Sequence, residues 1–178
     1  MFPREITLKD NRILTIALAQ PGQAEEYIAF AREVAGNSEM MRTEGDEYPA
    51  PEQMKQILEA GLKEGISLRL TGMREGRIIA NLVLHRTFHR RTVHAGLLGM
   101  MVHDDCRGLG IGRHLLQSAI DWAREQKMTK IDLHVRMHNP AALTLYKNAG
   151  FEIEGIMRRG LCVNGVMMDV YYMGLLID

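Results

Sequence analysis

A glycine-rich turn between a strand-like segment and an amphipathic segment is the feature that most constrains how this chain can fold. The turn is Arg107-Gly108-Leu109-Gly110-Ile111-Gly112-Arg113, and an apolar run that ends at Val102 precedes it. After the turn, apolar residues recur at intervals of three and four across residues 111–126, which predicts a helix with one buried face. The sequence therefore predicts a strand, a tight turn and a helix start in immediate succession.

The start of that helix is suited to binding an anion. Its first N–H groups lack partners within the helix, and the macrodipole adds partial positive charge. Glycine lets the backbone approach a ligand closely, so phosphate groups are favoured ligands. Arg107 and Arg113 flank the turn and can add charge-assisted hydrogen bonds. The glycine spacing, without a following Lys-Ser/Thr pair, argues against a Walker-type loop and a dinucleotide-binding loop.

Composition excludes several classes of function. The 178 residues suit a single domain, residues 1–178, and the net charge of zero provides no field to hold nucleic acid. There is no apolar run of membrane-spanning length and no apolar signal segment at the N-terminus, so we expect no membrane association and a cytoplasmic location. The spacing of Cys106 and Cys162 suggests neither a disulfide framework nor a zinc site. We therefore expect no metal.

Hydrophobic patterning predicts a single α/β domain with a mixed, mostly antiparallel sheet of about six to seven strands flanked by helices. Glu75-Gly76 and Asn164-Gly165 are hairpin signals, and Gly65 is a helix stop. The predicted strands are residues 12–19, 67–74, 77–87, 93–102, 130–135, 151–157 and 166–175. The predicted helices are residues 24–34, 51–63, 111–126 and 141–149.

Two blocks of sequence resemble the GCN5-related N-acetyltransferase (GNAT) superfamily. Residues 102–113 are similar to the acetyl-CoA pyrophosphate loop of that family, Q/R-x-x-G-x-G/A. Residues 139–151 are similar to its N-x-x-A-x-x-x-Y-x-x-x-G-F signature. The two blocks in this order are more specific than either alone, and the resemblance extends from about Leu97 to Met173. It departs at Asp104, where members often have proline, which affects only the shape of the turn.

The resemblance implies the GNAT fold, in which the strand before the glycine turn splays away from the next parallel strand. It also implies acetyl-CoA as co-substrate, with pantetheine in the gap beside the strand and pyrophosphate on the N–H groups of the turn. Asn139 would hydrogen-bond the pantetheine arm. The residues expected to bind acetyl-CoA are Met100, Met101, Val102, Arg107, Gly108, Leu109, Gly110, Ile111, Gly112, Arg113, Asn139, Ala142 and Tyr146.

Two catalytic roles are expected. Tyr146 matches the family's usual general acid, which protonates the leaving thiolate, although a Tyr packed beneath its helix is the alternative. His134 is the first candidate for the general base, because the related ribosomal-protein N-terminal acetyltransferases carry a base glutamate at the matching position. A plain polar role for His134 remains open, as do His103, His138 or water as the base.

The implied activity is transfer of acetyl to a primary amine by direct attack in a ternary complex. The acceptor is a small-molecule amine, an amino acid or a protein N-terminus. Met40-Met41-Arg42-Thr43-Glu44 joins the first two predicted helices and either contacts this acceptor or forms a plain surface loop. Two alternatives are a non-catalytic acyl-CoA-binding or sensing module on the same fold and, more distantly, a generic phosphate-binding domain. A homodimer is possible, although no sequence feature supports it.

Overall fold

The computed structural model describes residues 2–39, 42–86 and 89–178, in which eight strands form one sheet and four α-helices cover its faces. The strands are β1 (Arg4–Thr7), β2 (Ile13–Leu18), β3 (Ser67–Arg74), β4 (Arg77–Arg86), β5 (Ala95–Val102), β6 (Lys130–Arg136), β7 (Glu152–Val163) and β8 (Val166–Leu176). The helices are α1 (Ala24–Gly36), α2 (Pro51–Glu64), α3 (Ile111–Glu125) and α4 (Pro140–Asn148). Strand order is β1-β2-β3-β4-β5-β6-β8-β7, and only β5 and β6 are parallel. The predicted mixed, mostly antiparallel sheet is confirmed.

The predicted strand count of about six to seven was too low, because β1 was missed. β1 has four residues, and it pairs with β2 from Arg4–Ile16 to Thr7–Ile13. So short a segment carries almost no periodic signal of its own. β7 also runs past the predicted end at residue 157, because its pairing with β8 resumes after an irregularity between Met157 and Leu161. Thr87, the predicted end of another strand, lies outside the described residues.

The predicted turns are confirmed by the backbone angles. Glu75 and Gly76 have φ of 52° and 78°, and Asn164 and Gly165 have φ of 50° and 78°. Positive φ at both central residues is the requirement of a type I′ hairpin turn. Gly65 ends α2 in the left-handed conformation with φ of 64°. These local signals therefore set the register of two hairpins and one helix end.

The two faces of the sheet carry different helices. The larger apolar cluster joins the sheet to α3, with Leu115 and Leu116 almost fully buried, and a smaller cluster holds α1 and α2. On β6, Leu133 and Val135 belong to the α3 cluster. Because side chains alternate along a strand, His134 and Arg136 lie on the opposite face of the sheet. The candidate base is thus separated from α3 by the sheet itself.

Candidate active site

The central parallel strands separate part-way along their length. β5 and β6 pair only from Ala95–Lys130 to Leu98–Leu133. Beyond that point β5 continues to pair with β4 as far as Val102, and β6 with β8 as far as Arg136. Residues 99–102 and 134–136 therefore border an opening in the sheet. The splayed central strands that the resemblance implied are present.

The glycine turn follows β5, after one turn of 3-10 helix, and α3 begins at Ile111. Gly108 and Gly110 have φ of 78° and 90°, and a Cβ built on either one meets nothing within 4 Å. Gly110 occupies the N-cap without a side-chain cap. Among the described residues, no acceptor takes a hydrogen bond from the N–H groups of residues 108–113. The start of α3 thus presents unpaired donors on an open surface.

Position 112 needs glycine for a different reason. A Cβ there would lie 3.1 Å from Leu145 Cδ2 and 3.3 Å from Met100 Cε. Such contacts are tighter than ordinary van der Waals packing, so glycine lets the first turn of α3 lie close to both α4 and β5. The three glycines therefore divide into two that shape the turn and one that permits packing.

The two arginines that flank the turn differ in their pairing. Arg107 Nη2 lies 2.6 Å from Asp104 Oδ1, and about half of each side chain is exposed. Arg113 is exposed on the first turn of α3. An exposed ion pair contributes roughly 0–1 kcal/mol, so an arriving phosphate can replace Asp104 at little cost. Asp104, where the family often has proline, thus provides a weak internal partner for Arg107.

Asn139 caps α4. Its Oδ1 accepts a hydrogen bond from the Ala142 N–H at 3.1 Å, so the side-chain oxygen and the Ala142 donor are both engaged within the helix start. The side-chain NH2 group of Asn139 has no acceptor among the described residues. An amide with two donors can therefore hold the helix start with its oxygen and a ligand carbonyl with its nitrogen.

Tyr146 is buried on α4, with 7% of its surface exposed, and its ring centroid lies 5.7 Å from that of Phe151. Within the described ranges its hydroxyl makes no hydrogen bond, yet it is not among the fully enclosed unpaired atoms. Burial raises the pKa of Tyr146 to about 12. The phenol therefore keeps its proton at neutral pH and has it available to donate.

His134 contacts a guanidinium from the loop between α1 and α2. Its Nδ1 lies 2.7 Å from Arg42 Nη1, and its ring centroid lies 5.4 Å from that of Tyr172. Because arginine can only donate, Nδ1 is the acceptor, and the neutral ring carries its proton on Nε2. Burial first, and Arg42 second, lower the pKa of His134, while Asp132 opposes them. The imidazole is thus held neutral, with its lone pair directed at Arg42.

That contact shows that the α1–α2 loop reaches the opening between β5 and β6. Met40 and Met41 lie outside the described residues. Contact of the loop with an acceptor remains a prediction.

The other two candidate bases are placed differently. His103 Nε2 lies 3.2 Å from Glu33 Oε1, and its Nδ1 accepts from the Asp105 N–H at 3.3 Å, so both ring nitrogens are engaged. His138 is exposed between β6 and α4. His134 is the one of the three whose ring lies on β6 beside the opening.

Sequence reasoning missed two residues near the opening. Tyr48 places its hydroxyl 3.9 Å from Met101 Sδ, and burial raises the pKa of Tyr48 to about 12. Arg136, which ends β6, is only 4% exposed. Neither residue lies in a recognisable motif, and a charged residue at a strand end ordinarily indicates a solvated position.

Residues 2–39, 42–86 and 89–178 contain no group of three or more His, Cys, Asp or Glu placed to hold a metal ion. In the same ranges, no helix has both the length and the apolar character needed to cross a bilayer.

Comparison with known proteins places this geometry in a family. A sequence profile of the acetyltransferase (GNAT) family matches residues 37–151, which is more than half of the chain and includes both motif blocks. The chain belongs to the GNAT family. A GNAT acetyltransferase of known structure from Streptococcus pneumoniae has a TM-score of 0.88 and 30% identity, over 93% of this chain and 99% of that one.

Other GNAT relatives are more distant or match over a shorter segment. An L-amino acid N-acetyltransferase of Escherichia coli is 29% identical over 103 residues, which are 56% of this chain and 62% of that protein. The chain thus spans less than two thirds of that relative. A Salmonella typhimurium putative acetyltransferase solved with acetyl-CoA shares the GNAT fold, with a TM-score of 0.83 and 19% identity over 93% of this chain and 94% of that one.

Proposed function

We propose that the protein is an acetyl-CoA-dependent N-acetyltransferase that moves acetyl to a primary amine by direct attack in a ternary complex. One observation carries the proposal: the opening between β5 and β6 lies next to the unpaired N–H groups of the glycine turn. Acetyl-CoA has a diphosphate joined to an extended amide arm, so these two features suit its two parts. Membership of the GNAT family supports the same donor.

The residues of this chain divide the binding work. The N–H groups of residues 108–113 take the diphosphate, as helix starts do, and Arg113 adds charge. Beyond Leu98, β5 has no strand partner on the β6 side, so its main-chain groups there pair with the amides of the arm. The free NH2 group of Asn139 donates to a carbonyl of the arm. A main-chain N–H near Met101 or Val102 holds the thioester oxygen as it gains charge.

The reaction needs a neutral amine and a protonated leaving group. The amine nitrogen attacks the thioester carbonyl, the C–N bond forms, and the C–S bond breaks. The amine loses its proton to water or to His134, whose Nδ1 must first exchange its contact with Arg42 for the amine, and the departing thiolate takes a proton from Tyr146. The α-amine of a peptide chain, with a pKa near 7.8, is neutral far more often at pH 7 than an alkyl amine with a pKa near 10.4. A weak base such as neutral His134 therefore suits an α-amine better.

Release of free CoA tests the proposal. Purified protein with acetyl-CoA and a panel of amino acids, peptides, polyamines and aminoglycosides is expected to release CoA with at least one acceptor. Calorimetric binding of CoA without turnover on any amine would instead support the non-catalytic binding module. Equal affinity for ATP and CoA would point to a generic phosphate-binding domain.

The pH dependence of the rate tests the role of His134. A base is active when neutral, so its contribution is full above its pKa and falls as the pH drops through it. Because burial and Arg42 lower the pKa of His134, we expect the acid limb of kcat/KM, corrected for the fraction of neutral amine, to lie below about pH 6.5, the ordinary value. Arg42→Gln removes a positive neighbour and should move that limb to higher pH.

The position of the limb, rather than the height of the plateau, is the decisive measurement, because Arg42 can also affect acceptor binding. Titration of the His134 ring by NMR should show the same upward change in pKa in Arg42→Gln. His134→Gln is the matched variant and should abolish the limb. A limb that stays in place in both variants would assign the titration to another group.

A further inference from the structure

Arg136, the last residue of β6, is buried without a partner for most of its guanidinium. The residue is 4% exposed, and Nε and Nη1 have no hydrogen-bond partner among the described residues. The ion pairs found in the described part of the chain do not include it. A charge left in this state destabilises the fold, and since no described residue pairs with these two nitrogens, a bound ligand can supply the partner.

Arg136 lies beside the opening, on the face of the sheet opposite α3. It shares with His134 the face of β6 opposite α3, and two residues along a strand separate Cα atoms by roughly 7 Å. It also lies beyond the last β5–β6 pair at Leu133, so β5 does not pair with its main chain. The donor, which we place against α3 and β5, leaves this other face to the amine.

Among the described residues, the charged groups without an ion-pair partner on that face are guanidinium groups, so the face carries positive charge. Arg42 reaches the same face through its contact with His134. A single ammonium group offsets part of the nearby negative charge, since Lys130 Nζ lies 2.9 Å from Asp132 Oδ1 and 2.7 Å from Glu154 Oε2. With Arg42 and Arg136 included, three cationic groups face two carboxylates. A polycation would meet a net positive charge here, because both carboxylates already contact Lys130. The face instead favours an acceptor with a carbonyl or carboxylate oxygen that can accept hydrogen bonds from a guanidinium group.

We propose that Arg136 binds the carbonyl or carboxylate oxygen on the α-carbon of the acceptor, which makes the acceptor an α-amino acid or the first residue of a peptide. This inference rests on the proposed function and narrows its acceptor. Arginine presents only donors, in a planar fork that fits a carboxylate. An α-amine held near His134 carries its carbonyl carbon two bonds from the nitrogen, within reach of a side chain two positions along the strand.

Three acceptors with one side chain separate the possibilities. L-leucine has a carboxylate, L-leucinamide has a carbonyl without charge, and 3-methylbutylamine has neither; the equivalent set replaces them if another amino acid reacts faster. We expect kcat/KM, corrected for the fraction of neutral amine, to be at least tenfold lower for 3-methylbutylamine than for the better of the other two. Equal values for all three would overturn the inference. The order of leucine and leucinamide shows whether the site reads charge or only the carbonyl.

The variant Arg136→Met tests whether this residue makes the distinction. It should lower kcat/KM for leucine or leucinamide at least tenfold and leave that for 3-methylbutylamine within twofold, so that the preference disappears. A preference that survives the substitution would overturn the inference. Arg124→Met is the control, because Arg124 is an exposed arginine on α3, across the sheet, and it should leave all three values unchanged.

Stability separates a ligand-binding role from a structural one. Methionine removes an unpaired buried charge and keeps most of the volume, so ligand-free Arg136→Met should melt at or above the wild-type temperature. A clear fall in Tm, together with an intact preference among the three acceptors, would mean that Arg136 supports the fold instead.

Failure of this inference can be told from failure of the proposed function. If no amine releases CoA, the proposed activity falls, and calorimetry in the presence of CoA still decides the role of Arg136. Binding of L-leucine that is lost in Arg136→Met would support it. Equal binding of leucine and 3-methylbutylamine to the wild-type protein would overturn it.

Discussion

Gly110→Ala is expected to weaken CoA binding at least tenfold. Gly110 has φ of 90° at the N-cap of α3, where an L-residue is strained by about 1–2 kcal/mol. The added Cβ would also enter the open space in which we place the diphosphate. The strain is present with and without CoA and therefore lowers stability, so the loss of affinity must come from the Cβ in the diphosphate space. A factor of ten in affinity corresponds to about 1.4 kcal/mol. The dissociation constant for CoA, measured by calorimetry, checks the prediction.

Gly76→Ala provides the matched control. Gly76 has φ of 78°, and a Cβ there also meets nothing within 4 Å, but it lies in the β3–β4 turn. Both variants should lose a similar amount of stability, roughly 1 kcal/mol, while only Gly110→Ala loses CoA affinity. Equal CoA affinity in the two variants would place the diphosphate elsewhere.

Tyr146→Phe is expected to lower kcat about 100-fold, a typical contribution of a general acid, with little change in the KM for acetyl-CoA. Burial raises the pKa of Tyr146 to about 12. An acid is active when protonated, so its contribution persists through neutral pH and is lost only as the pH rises towards that value. Because the hydroxyl has no hydrogen-bond partner among the described residues, its removal should leave Tm nearly unchanged.

Tyr171→Phe on β8 is the control for this substitution. Its side chain packs partly buried against the α3 cluster, and removing its hydroxyl should affect neither kcat nor KM. Steady-state kinetics and thermal melts of both variants complete the test. An unaltered kcat in Tyr146→Phe would mean that another group or water donates the proton to the thiolate.

The sequence predicted what local residues determine. The hairpin at Glu75-Gly76, the end of α2 at Gly65 and the helix after the glycine turn each depend on a few consecutive residues, and the structure has all three. β1 was not predicted because its pairing with β2, rather than its own hydrophobic pattern, makes it a strand. Sheet edges depend on distant partners, which periodicity does not register.

The same distinction applies to the candidate site. The motif residues Asn139 and Tyr146 were found because their spacing carries the resemblance. The Arg42–His134 contact joins residues 92 positions apart, and no local pattern indicates it. Burial of Arg136 was equally invisible, since a charged residue that ends a strand is ordinarily exposed. The sequence therefore indicated the donor half of the site better than the acceptor half.

Where β5 and β6 part, the sheet becomes two leaves held together by the four residue pairs from Ala95–Lys130 to Leu98–Leu133. On the proposed function, the pantetheine arm bridges the two leaves as an additional strand does. A ligand that binds only the folded state stabilises it by RT ln(1 + [L]/Kd). Resistance of the protein to unfolding and proteolysis would then rise and fall with the concentration of coenzyme. The acetyl donor would thus also stabilise the fold by joining the two leaves.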